Sequence, residues 1–203
     1  MQKKNSLVNI HNPDNSLRDV GDVVREIHGL GYHCSETLVR ALWPYLLPDE
    51  ELTDTILKMT MVLHGGIGDS MGSHCGGMTA PILLIGAKYG REDINGDARY
   101  APAIARGFWQ RFVDEFGTTH CTTLKQDRPP GPEAPTRCGC IMVRSARLLL
   151  DYLQELEANR PDKEEMYLWR LDRSQEPCHE HTPVMKSSEE VKAELAKKKN
   201  RTE

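Results

Sequence analysis

Apolar residues recur at helical spacing in successive segments of this 203-residue chain, and glycine or proline ends most of these segments. Such spacing gives each helix one apolar face that must be buried against another helix. Strand patterns are weak, because the short apolar runs MVLHG and PILLIG lie inside longer helical patterns. The sequence therefore predicts an all-α fold, a compact helical bundle, with helices over about 16–29, 35–47, 51–63, 76–89, 96–116 and 138–160.

The composition shifts to charged residues near the end of the last predicted helix. We therefore predict an N-terminal segment (1–15), a cysteine-bearing helical domain (16–158) and a charged C-terminal extension (159–203). The extension has few apolar anchors, and we expect it to pack on a partner or on another copy of the domain. These anchors are Met166, Tyr167, Leu168, Trp169 and Leu171.

Charge and hydropathy exclude some function classes. The 26 Lys and Arg residues and 30 Asp and Glu residues are dispersed and give a formal charge of -4, so nucleic acid is not an expected partner. No apolar run approaches the roughly 18 to 20 residues that a membrane helix needs. No apolar segment follows the basic amino terminus, so we expect no signal peptide, no membrane span and a cytoplasmic location.

The cysteines are the residues most suited to chemistry. Six are too few for a disulfide scaffold at this length. Cys34, Cys75 and the pair Cys138 and Cys140 lie at or just before predicted helix starts, where free N–H groups favour a thiolate. Cys121 follows a helix, and the proline-rich loop after it can fold it back toward Cys138. The wide spacing excludes a local zinc knuckle or a ferredoxin run, so tertiary structure must assemble any shared site.

Histidines and glycines accompany these cysteines. His33, His74 and His120 each directly precede a cysteine, and adjacent side chains diverge, so we expect most of them at the surface or behind the thiols. The glycine-rich stretch 64–78 lacks the dinucleotide-binding spacing. We interpret Gly76 and Gly77 beside Cys75 as backbone that approaches a sulfur or a cofactor closely.

These residues resemble a family to which a redox role is assigned through a C…CGAxxG…C…C pattern. The similarity covers about residues 20–157 and includes GYHCSE at 31–36 and CGGMTA at 75–80, with Gly77 and Ala80 where the family has Ala and Gly. The resemblance implies four signature cysteines, Cys34, Cys75, Cys121 and one of Cys138 or Cys140. Related domains resemble the part of split-Soret cytochromes outside the haem motif, and no C-x-x-C-H occurs here.

The leading hypothesis is a redox or electron-transfer protein in which four or five cysteines ligate an iron-sulfur cluster, with a redox protein or a homo-oligomer as partner. The candidate ligands are Cys34, Cys75, Cys121, Cys138 and Cys140, with Gly76 and Gly77 beside the cofactor. Two alternatives use the same cysteines: a thiol/disulfide relay without metal, and a zinc-stabilised helical interaction module. We favour Cys138 as the ligand and Cys140 as an additional thiol, because the helix after the loop fixes the direction of Cys140.

Overall fold

A computed structural model describes residues 8–127, 136–159, 161–163 and 166. Within these residues the chain forms helices and no named strand, which confirms the all-α prediction. The helices are α1 (Val20–Gly29), α2 (Cys34–Leu46), α3 (Asp54–Met61), α4 (Gly76–Tyr89), α5 (Tyr100–Phe116), α6 (Cys121–Asp127) and α7 (Arg137–Asn159). None of the described helices is both long enough and apolar enough to cross a membrane.

The core forms around α4. This helix packs against α2, α5 and α7, while α1 packs against α2 and α7, and α3 lies against α2. Apolar residues surround α4 on several sides rather than forming one stripe, as expected of a helix with several neighbours. On α5, Phe108, Phe112 and Phe116 follow one another at four-residue spacing and are all buried, so this face covers α4 and α7.

Two helices begin differently from the prediction. α2 begins at Cys34, with His33 as N-cap, instead of at Ser35. The N–H of His33 donates to the Glu36 carboxylate, and the buried Ser35 hydroxyl donates to the Thr60 carbonyl at 2.8 Å. Ser35 therefore fastens α2 to α3 rather than capping α2. The short helix α6 lies where the sequence predicted only a turn and loop after Cys121.

The glycine-rich stretch between α3 and α4 contains one turn of left-handed backbone. Five consecutive residues have φ between 54° and 77°: Gly65, Gly66, Ile67, Gly68 and Asp69. The Gly68 N–H donates to the Val62 carbonyl and the Met71 N–H donates to the Gly65 carbonyl, each at 2.7 Å. These bonds fold the chain back on itself directly before the segment that carries Cys75.

The predicted C-terminal extension lies mostly outside the described residues. Of its proposed anchors, Met166 is described, and it packs against the hydrophobic core. The other four anchors, Tyr167, Leu168, Trp169 and Leu171, lie outside the described residues, as does Cys178. The three-region division and the role of the extension remain predictions.

Candidate functional site

Four cysteines from separate parts of the chain line one cavity of about 230 Å³: Cys34, Cys75, Cys121 and Cys138. Cys34 is the first residue of α2, Cys75 is the N-cap of α4, Cys121 begins α6, and Cys138 lies in the first turn of α7. The fold thus brings together thiols that span more than a hundred residues of sequence.

Backbone pairing fixes the relative position of Cys75 and Cys121. The Cys75 N–H donates to the Thr119 carbonyl at 2.8 Å, and the Cys121 N–H donates to the Ser73 carbonyl at 2.9 Å. These two bonds flank an antiparallel bridge between His74 and His120. Neighbouring residues in extended chain point to opposite faces, so the exposed histidines lie on one face and the buried cysteines on the other.

Cys75 and Cys121 form an asymmetric thiol pair. Their side chains are hydrogen-bonded, and this bond lowers the pKa of Cys121 to about 6, assisted by the charge of Lys125 and by His120. The same bond, together with burial and the nearby Cys34 sulfur, raises the pKa of Cys75 well above its usual value. Cys121 is therefore the thiolate of the pair, and Cys75 is the thiol that donates to it.

Backbone N–H groups donate hydrogen bonds to the sulfur atoms of Cys34 and Cys75. Burial raises the pKa of the Cys34 thiol, and hydrogen bonds from the N–H groups of Gly65 and Ser35 partly oppose that shift. The Gly77 N–H donates to Cys75 Sγ at 3.3 Å. Each of these N–H groups stabilises negative charge on sulfur, which suits a site of several thiolates.

Cys138 and Cys140 have different surroundings on the same helix. Cys138 is half-buried and lines the cavity, and burial raises its pKa while the positive charge of Lys125 acts in the opposite direction. Cys140 is not among the residues that line the cavity. Two positions along an α-helix correspond to a rotation of about 200°, so the two side chains leave α7 on different faces.

The cavity is also lined by four ionisable side chains that the sequence analysis did not single out: His28, His64, Asp69 and Lys125. His33 also lines the cavity and stacks on His64, with ring centroids 4.1 Å apart. His74 and His120 lie at the surface, as expected. Lys125 follows Cys121 by four residues, but only the helix α6, which the sequence did not predict, places both on one side.

The cavity does not contain a donor set for a single metal ion. Within the described residues, no group of three or more His, Cys, Asp or Glu side chains is arranged to hold one ion. The four cavity cysteines, Cys34, Cys75, Cys121 and Cys138, form no disulfide bond. The cavity thus contains four cysteines, one of which, Cys121, favours the thiolate form. The groups best suited to chemistry in it are these sulfur atoms.

The chain was compared with known protein families, curated proteins and solved structures. Residues 32–152 match the family model described as "Putative redox-active protein (C_GCAxxG_C_C)". The matched segment includes the five described cysteines, and at the second of them the chain reads Cys75-Gly76-Gly77. No curated protein and no solved structure matches the chain significantly.

Proposed function

The chain belongs to the redox-active protein family with the C_GCAxxG_C_C signature, and from this premise we propose that it is an electron-transfer protein with an iron-sulfur cluster. The proposed ligands are Cys34, Cys75, Cys121 and Cys138. One observation carries the proposal: these four thiols, from four separate segments, line a single cavity of about 230 Å³. Four cysteine thiolates are the usual ligand set of such clusters.

The donor chemistry fits a cluster better than a single ion. Thiolate is a soft ligand that suits iron-sulfur groups and zinc alike. A structural zinc ion needs all four donors around one centre, whereas a cluster distributes its thiolates over several iron atoms. Zinc has no redox chemistry, so the redox-active family to which the chain belongs favours the cluster over the zinc-stabilised module.

The protein residues have three roles in this proposal. The four cysteines bind the cluster, and the N–H groups of Gly65 and Gly77 orient and stabilise the sulfur charge. The burial of Cys75 and Cys121 keeps water from these two ligands. When bound, an iron-sulfur cluster supplies reversible one-electron transfer. We place the protein in the reducing cytoplasm and expect a second redox protein as its electron partner.

Anaerobic reconstitution tests the proposal. The wild-type protein, given iron and sulfide, should retain both after gel filtration and show visible charge-transfer absorption that reductant bleaches. Serine at each of the four proposed ligands should sharply reduce the iron content. Cys140→Ser is the matched control, because Cys140 is on the same helix turn as Cys138 but does not line the cavity. Full loading after Cys138→Ser, or equal loss after Cys140→Ser, would contradict the proposed ligand set.

A second candidate function is a metal-free dithiol relay, favoured by the hydrogen-bonded pair Cys75 and Cys121. The Cys121 thiolate would attack a disulfide of a partner protein, forming a mixed disulfide and releasing one partner thiolate. Cys75 would then lose its proton and attack Cys121 Sγ, releasing the second partner thiolate. The partner gains two electrons, and a Cys75–Cys121 disulfide remains.

Peptide mapping of metal-free protein tests this second function. Exposure to a small disulfide such as oxidised glutathione should yield a Cys75–Cys121 disulfide, and Cys75→Ser should instead accumulate the mixed disulfide on Cys121. The Cys34→Ser variant should still form the disulfide, although it would lose a proposed cluster ligand. No Cys75–Cys121 linkage under these conditions would exclude the relay.

A further inference from the structure

Lys125 faces the four-thiol cavity from α6. It lies one helical turn after Cys121 and is the single lysine or arginine among the described residues that line the cavity. Its Nζ is 3.7 Å from Met71 Sδ, within the glycine-rich stretch. The Arg137 guanidinium donates to the Lys125 carbonyl and so ties this part of α6 to the start of α7. Met71 therefore contacts the charged group, and Arg137 fixes the backbone that carries it.

We propose that Lys125 is a positioning residue of the redox site, whose positive charge raises the reduction potential of the group that the cysteines form. The inference rests on the proposed function only in taking this cavity as the redox site. Lys125 itself makes no bond to the redox group in this proposal. Instead, it stabilises the extra negative charge of the reduced state across the cavity.

The direction of the effect is the same for both candidate groups. A cluster gains one negative charge on reduction. Reduction of a Cys75–Cys121 disulfide adds two electrons and breaks the S–S bond, and Lys125, one helical turn from Cys121, stabilises the thiolate form of the product. In each case the reduced state is more negative, so a nearby cation favours it. Buried surroundings strengthen this attraction because solvent screens it less than at an open surface.

The other charged or ionisable groups of the cavity wall do not replace Lys125. Asp69 is exposed and has the opposite sign, so it weakens the positive potential at the thiols. His28, His33 and His64 carry a positive charge only when protonated. The lysine is therefore the principal fixed positive charge among the described residues of the cavity wall.

The test measures a reduction potential in two forms of the protein. Lys125→Met and Lys125→Gln remove the charge, Lys125→Arg retains it, and Lys58→Met is the control, because Lys58 is exposed and outside the cavity wall. The first form is the cluster-loaded protein, titrated electrochemically. The second is the metal-free protein, in which glutathione buffers set the Cys75–Cys121 thiol-disulfide equilibrium.

Both neutral variants should shift the equilibrium roughly tenfold toward the oxidised state, as expected for one partly screened charge pair. A tenfold change corresponds to about 59 mV for one electron and about 30 mV for two. Lys125→Arg and Lys58→Met should stay near wild type. Unchanged potentials in folded Lys125→Met and Lys125→Gln proteins would overturn the inference. If no cluster loads but the metal-free equilibrium shifts, the inference holds and the cluster proposal fails.

Discussion

Gly76 lies so close to Cys34 that a Cβ atom at residue 76 would overlap the Cys34 sulfur. The same added atom would lie 3.0 Å from the Ser35 backbone nitrogen, which cannot move without shifting the start of α2. The glycine after Cys75 therefore sets the approach of α4 to α2, and with it the distance between two of the four cavity thiols.

Gly76→Ala should displace Cys34 from the cavity. We expect a loss of about 1 to 3 kcal/mol of unfolding free energy, the usual cost of overpacking a tight contact, and reduced iron content after reconstitution. Gly86→Ala is the matched control on the same helix, because a Cβ atom there meets nothing within 4 Å. That control should stabilise α4 by up to about 1 kcal/mol. Urea unfolding of both variants measures the difference, and equal stability would show that Cys34 accommodates the methyl group.

The hydrogen bond between Cys75 and Cys121 predicts a specific dependence on pH. In metal-free protein, Cys121 should titrate near pH 6, and Cys75→Ala should raise that pKa because it removes the largest cause of the shift. Ultraviolet thiolate absorbance across a pH series measures this, with Cys140→Ala as control. An unchanged Cys121 pKa in Cys75→Ala would show that Lys125 and His120 alone produce the thiolate.

The pKa shifts of Cys75 and Cys121 also predict how the stability of the protein changes with pH. The Cys121 pKa is depressed from 9.0 to about 6, so its contribution is fully present above the unfolded value near 9 and is lost as pH falls through about 6. The raised pKa of Cys75 acts in the opposite sense, because ionisation of the unfolded thiol above about pH 9 favours unfolding. The unfolding free energy of metal-free wild-type protein should therefore decrease as the pH is lowered from about 9 to about 6. In Cys121→Ala the unfolding free energy should depend less on pH over that range. A wild-type profile that is already flat there would contradict the assignment of the thiolate to Cys121.

Ser145 joins α7 to the first turn of α4. Its fully buried hydroxyl donates to the Gly77 carbonyl at 2.6 Å. Ser145→Ala leaves that carbonyl without this partner, and we expect a loss of about 1 to 3 kcal/mol in urea unfolding. Ser145→Thr keeps the hydroxyl and adds a methyl group, so it measures separately how much extra volume this buried position tolerates. Wild-type stability in the alanine variant would show that this bond contributes nothing net.

The sequence predicted the parts of the fold that depend on local pattern. The bounds of α4 match because an apolar run starts after Cys75 and ends at glycine. α6 could not be predicted in the same way, since its seven residues contain one buried apolar side chain besides Cys121, that of Leu124. Its helical form depends on tertiary contacts, including the bond from Cys121 N–H to the Ser73 carbonyl.

The candidate site also has features that local sequence predicts and features that it does not. The placement of Cys34, Cys75 and Cys138 beside helix starts was visible in sequence, because it depends on neighbouring residues. The bridge between His74 and His120 was not, since it joins segments 46 residues apart in sequence. Ile67 was also unpredictable, because a β-branched side chain strongly disfavours the left-handed conformation that it adopts at φ 62°.

That left-handed turn gives the last prediction. Ile67 is 41% exposed, so little packing offsets the roughly 1 to 2 kcal/mol that a non-glycine residue costs in this conformation. Ile67→Gly removes this cost. It also increases the conformational entropy of the unfolded chain, which destabilises the folded protein by about 0.5 to 1 kcal/mol. We therefore expect a net stabilisation of about 0.5 to 1 kcal/mol in urea unfolding.

Gly68→Ala is the reciprocal test, since Gly68 has φ 63° and a Cβ atom there meets nothing within 4 Å. Only the backbone conformation opposes this alanine, so the variant should lose about 1 kcal/mol. The exposed, right-handed Gly86→Ala should change stability in the opposite direction. If Gly68→Ala and Gly86→Ala shifted stability equally, residues 65–69 would not be held in a left-handed turn in solution.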